Sequence, residues 1–62
     1  MKMIRGIIKK AIADKGVKPV DLANKIEISR SSMSLFINGK INLSLPKIEK
    51  IFEVLGIRLE ID

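Results

Sequence analysis

Three residues, Glu27-Ile28-Ser29, interrupt a chain that otherwise shows helical apolar spacing on both sides, and this interruption constrains the fold more than any other feature. Before it, Leu22, Ala23 and Ile26 recur at the spacing of one helix face, and after it Met33, Phe36 and Ile37 do the same. Neither stripe is long enough to be stable alone, since isolated helices shorter than about 12–15 residues are marginal in water. The two must therefore bury their faces against each other and against whatever flanks them.

The flanking segments supply that cover. The first helix is expected from about Lys2 to Lys15, with Ile4, Ile7, Ile8, Ala11 and Ile12 on one stripe and Gly16 as its stop. Val17 follows as the apolar residue that often accompanies such a stop. Pro19 opens a second helix of about two turns, because its fixed φ and missing N–H suit the first helical position, and Asp21 complements the dipole there. Ser29 is placed to cap a third helix over Arg30–Asn38, closed by Asn38-Gly39, both of which tolerate positive φ. Ser44 and Pro46 open a fourth, whose stripe of Leu45, Ile48, Ile51, Phe52 and Leu55 runs to Gly56. Ile57-Arg58-Leu59-Glu60-Ile61-Asp62 then alternates apolar and charged, which is a strand pattern. The expected fold is all-α, a bundle of four helices plus a short C-terminal β-strand.

Two short helices joined by a tight turn and backed by others form a helix-turn-helix. Ala23 has to be small so that the two axes cross closely, and Ile28 plugs the turn from below. The face of the third helix opposite its core stripe is unusual. Ser31, Ser34, Leu35 and Asn38 share one exposed line, flanked by Arg30 and Ser32, with no acid anywhere on the helix. Such a face approaches phosphates and base edges without repulsion. Arg30 is suited to guanine O6 and N7, Ser31 and Ser34 to bases or phosphates, and Leu35 to a thymine methyl group. Asn38, Gly39 and Lys40 would grip backbone phosphates, which position a protein without specifying sequence. The simpler alternatives are capping for Ser31 and Ser32, an ordinary exposed leucine, and a helix stop at Asn38-Gly39.

Charge and composition point the same way. Residues 1–40 hold nine Lys/Arg against three Asp/Glu, whereas residues 41–62 hold three against four. A basic front suits a polyanionic partner, the alternative being a solvated lysine surface. The chain has no cysteine and no histidine. That removes disulfides, thiolate metal sites, and the commonest general base and metal ligand, so neither catalysis, nor a metal, nor a cofactor is expected. No apolar run reaches the ~18 residues of a membrane span, and the start lacks a signal-peptide core, so the cytoplasm is the expected compartment. Its two aromatic residues, Phe36 and Phe52, lie on core stripes, which argues against single-stranded nucleic acid. A membrane-surface role for Lys2–Lys15 is the weaker account of its apolar face, which the other helices need.

The stretch LANKIEISRSSMSLFINGK, with LSLPKIEKIFEVLGI downstream, resembles the phage-repressor and Cro-like (XRE-type, lambda-repressor-like) helix-turn-helix regulators of bacteria and phages. The similarity covers roughly Lys2 to Ile57, and its best marks are Leu22-Ala23, Ile28-Ser29, Ser34 to Gly39 and Leu55-Gly56. It implies four or five helices, dimeric binding to palindromic double-stranded DNA, and control of transcription, most simply repression. Two positions depart from the family pattern. Pro19 stands where the family commonly has a phosphate-contacting glutamine, leaving Lys18 or Asn24 to substitute, and Glu27 stands where glycine is usual.

A lone strand needs a partner for its backbone groups. Pairing with the same strand of a second copy across a two-fold axis supplies one, with Ile57, Leu59 and Ile61 facing the helices as shared core. Residues 1–56 then form the DNA-binding domain and 57–62 a dimerisation strand, unless the tail is simply frayed. An antitoxin that binds both a toxin and its own operator is similar in using such a strand. The competing class is a protein-interaction module that keeps this fold and has lost DNA binding.

Overall fold

The computed structural model describes residues 2–57. Four helices follow in order: α1 Lys2–Lys15, α2 Pro19–Lys25, α3 Arg30–Ile37 and α4 Leu45–Leu55. The pair α2 and α3 packs most extensively, α1 lies against α3 and α4, and α4 also reaches α2. Every helix contributes to one core: Ile8 and Ala11, Leu22 and Ala23, Met33 and Phe36, and Ile48, Ile51, Phe52 and Leu55, joined by Ile26 at the end of α2. No polar or charged side chain among the described residues is buried with them.

All four helices end in the same way. A residue with positive φ stands at each stop: Gly16 (66°), Glu27 (61°), Gly39 (76°) and Gly56 (69°). The next N–H reaches back five residues: Val17 to Ile12 O at 3.1 Å, Ile28 to Ala23 O at 3.0 Å, Lys40 to Leu35 O at 2.8 Å, and Ile57 to Phe52 O at 3.0 Å. This is the Schellman arrangement, which satisfies carbonyls that a helix end would otherwise leave orphaned. Val17, Ile28 and Ile57 complete it by packing on the core, while after α3 Ile41 does so instead, one residue beyond Lys40.

Glu27 holds this left-handed conformation with a side chain, at a cost of about 1–2 kcal/mol from the clash of Cβ with the following carbonyl. Glu27→Gly is therefore expected to stabilise the domain by about 1 kcal/mol, after the extra chain entropy of glycine is deducted. Thermal unfolding should register a Tm rise of about 4–8 °C, and an unchanged or lower Tm would contradict the assigned backbone geometry.

Some sequence expectations need correcting. Ile7 and Leu45 lie on their apolar stripes yet are 43% and 54% exposed. Ile7 sits about 100° round the helix from Ile8, beyond the arc that the other helices cover. Leu45 is the first residue of α4, at the very end of its stripe. Helix α3 stops at Ile37, and Asn38 is its C-cap with φ −85°, so only Gly39 takes positive φ there. Ser44 occupies the N-cap of α4 in extended conformation, but its hydroxyl makes no capping bond. Of the strand expected over 57–62, Ile57 alone is described, half-buried in the stop of α4; Leu59 and Ile61 lie outside the described residues.

Candidate nucleic-acid interface

The turn between α2 and α3 aims the candidate surface. Its left-handed residue, Glu27, reverses the chain, and Ile28 anchors the reversal on the core. Ser29 then takes the extended conformation of an N-cap, and its Oγ accepts the Ser32 N–H at 3.0 Å. The same hydroxyl donates to Ser32 Oγ at 2.9 Å, so Ser32 is half-buried and engaged in the cap. Local chemistry thus fixes where α3 begins.

With Met33 and Phe36 buried and Ile37 half-buried, the rotation of α3 is determined. Arg30, Ser31, Ser34, Leu35 and Asn38 all emerge on its open side, and Lys40 is exposed just past its end. Leu35 is 43% exposed in the middle of this polar surface. Two shallow grooves flank the helix. One, of about 280 Å³, runs between the start of α2 and α3, from Pro19 and Val20 to Ser34 and Asn38. The other, wider and more open at about 640 Å³, is lined by Arg30, Ser31, Ser34 and Leu35. Arg30 and Ser34 border both, forming the ridge between them. Lys18, exposed at the N-cap of α2, adjoins Pro19 at the rim of the narrower groove.

Electrostatics follows from what is missing. No acid occurs on α3. Among the described residues one ion pair forms, Lys10 with Asp14 at 3.8 Å on α1, and no described acid pairs with Lys18, Arg30 or Lys40. At the end of α3, Asn38 Nδ2 donates to Ser34 O at 2.9 Å and lies 3.4 Å from Ser34 Oγ, which holds the amide against the last turn. Among the described residues no group of His, Cys, Asp or Glu could hold a metal ion. None of their helices is long and apolar enough to cross a membrane.

The grouping of Arg30, Ser31, Ser34, Leu35 and Asn38 on one open face matches their spacing in the sequence. Arg5, on α1, was not singled out there, yet it hydrogen-bonds the end of α3. Its acceptors are mostly backbone carbonyls, which carry no residue-type signal.

A short helix turned outward on a local cap, with polar and basic residues where solubilising acids would ordinarily intersperse, is the geometry of a nucleic-acid reader. A family model described as the Cro/C1-type helix-turn-helix DNA-binding domain matches residues 8–60. The chain belongs to this family. A Cro/C1-type domain is a DNA-binding one, and double-stranded DNA is its class of partner. The Cro/C1-type match spans all of α2, α3 and α4 and begins at Ile8 within α1. No curated protein and no solved structure matches the chain.

Proposed function

We propose that this Cro/C1-type domain is a sequence-specific transcriptional regulator, most simply a cytoplasmic repressor, acting as a homodimer on a palindromic operator. The observation that carries the proposal is the acid-free outer face of α3, with Arg30 and Ser34 on its ridge. Laid in a major groove, that ridge brings the forked donors of Arg30 to a guanine edge and Leu35 to a thymine methyl group. Ser31 and Ser34 supply short hydroxyl contacts. Lys18, Asn38 and Lys40 flank the ridge and hold phosphates, while Ser32 contributes from the first turn, where it also closes the cap. In the dimer, residues 57–62 of two copies pair, with Ile57, Leu59 and Ile61 inward. A dimer sets two half-sites about 34 Å apart, one helical turn.

Selection from a random double-stranded pool tests this directly. The expected product is a palindrome with half-sites one turn apart, and a dimer in sedimentation at micromolar concentration. Arg30→Ala is expected to cost about 1–3 kcal/mol of affinity and to relax preference at one position of each half-site. Retention without enrichment would reduce the role to charge alone, and a monomer would remove the paired strand.

A second proposal has one observation in its favour. Pro19 occupies the position where a phosphate-contacting glutamine is common in such domains, and it lines the narrower groove. A module that keeps the fold but binds protein, or an antitoxin that binds a toxin besides its operator, would tolerate that change. Absence of any retained DNA in the selection would favour the protein-binding module.

A further inference from the structure

Arg5 lies in the basic front of the chain, yet its guanidinium points inward. Its Nε–H donates to the Phe36 carbonyl at 2.7 Å, and Nη2 donates to the Ile41 carbonyl at 3.2 Å and to Asn42 Oδ1 at 3.1 Å. The guanidinium carbon is 5.2 Å from the centroid of the Phe36 ring. Phe36 O also accepts the Gly39 N–H at 3.1 Å, so it belongs to the last turn of α3, the negative end of the helix dipole. One planar fork therefore ties α1 both to the end of α3 and to the loop after it. Among the described residues, no other side-chain hydrogen bond reaches residues 39–43 from another helix.

We infer that Arg5 is a positioning residue for the C-terminal end of the recognition surface, a strut that sets where Asn38 and Lys40 stand, and not itself a contact to DNA. The fork geometry explains why arginine is needed. Its donors are fixed relative to one another and serve two carbonyls five residues apart, whereas an ammonium is a single point charge on a flexible stem. Arg5 also precedes residue 8, where the family match begins, so the donor of this strut lies outside that match while its acceptors lie within it. The inference rests on the DNA-binding proposal for its affinity readout alone.

The test uses the full chain with Arg5→Met, which keeps an unbranched apolar stem over Phe36 and removes the donors, and Arg5→Lys, which keeps the charge. In Arg5→Met, the Gly39, Lys40 and Asn42 amide resonances should shift. Hydrogen-exchange protection of the Lys40 amide should fall about tenfold relative to core amides such as Ile51, the size expected for lost charge-assisted bonds. Affinity for the selected duplex should fall about tenfold with the slope of log affinity against log salt unchanged, and Arg5→Lys should lie between. A slope reduced by about 1 would make Arg5 a direct phosphate contact and overturn the inference. Undisturbed loop amides would overturn it equally. If Arg5→Met fails to fold, shifted loop amides with an unchanged slope in Arg5→Lys support the strut, and undisturbed amides refute it. If the wild-type chain binds no DNA, the amide readout decides the strut, and the failure falls on the regulator proposal alone.

Discussion

Phe36→Ala is expected to bring the domain to the edge of unfolding at room temperature. Phe36 is fully buried and is the largest of the completely enclosed side chains. It sits on α3 at the centre of the bundle, with Arg5 against its ring. Truncating a buried phenylalanine costs about 3–5 kcal/mol through lost transfer energy and the cavity left behind. A chain of 62 residues has a total stability of about 3–9 kcal/mol at the usual ~0.05–0.15 per residue, so the loss consumes most of it. Circular dichroism during heating should show a Tm lowered by at least about 12 °C, or no cooperative transition at all. Phe36→Leu, which keeps much of the volume, should retain a folded domain with a smaller loss. A Tm within a few degrees of wild type for Phe36→Ala would mean that α3 is not packed on the core as described.

The largest effect on binding is expected from Ser34→Glu, which adds a carboxylate at the centre of the exposed α3 face. Ser34 borders both grooves, so the new charge would stand on the ridge proposed to enter the DNA groove. Like-charge juxtaposition in an interface costs several kcal/mol, which corresponds to a loss of more than about a hundredfold in affinity. The fold should survive, since Ser34 is exposed and glutamate is the better helix former. Anisotropy titration with the selected duplex, alongside a thermal melt, separates the two effects. Binding within about tenfold of wild type, with the melt unchanged, would remove the α3 face from the interface.

The sequence revealed what depends on local chemistry. The bounds of α1, the start of α2 at Pro19, the capping role of Ser29 and the stops at Gly16, Gly39 and Gly56 follow from residue types that act on their immediate neighbours. The open face of α3 was legible for the same reason, because fixing Met33 and Phe36 inward fixes Arg30, Ser34 and Leu35 outward. The exposure of Ile7 and Leu45 was not legible, since periodicity gives an angle on a helix and says nothing about where its neighbours end. The Glu27 side chain gave no sign of its positive φ; the one hint was that glycine is usual at that position in the family pattern. Arg5 was hidden more thoroughly, its acceptors lying 31 to 37 residues away. Lys47, whose Nζ donates to the Ile26 carbonyl at 2.8 Å and so caps the end of α2 from α4, was hidden in the same way.

The four matching helix stops have a kinetic consequence. Each corner closes through a hydrogen bond spanning five residues, so the chain reversals cost little loop entropy and need no distant contact to form first. Folding then reduces to the docking of helices whose ends are already marked, the regime in which small helical domains fold in microseconds to milliseconds. With so small a stability, the free domain opens and recloses continually, whereas any bound duplex withdraws copies from that cycle by mass action. Proteolytic lifetime should therefore differ between idle and occupied molecules, so that the unoccupied pool turns over fastest.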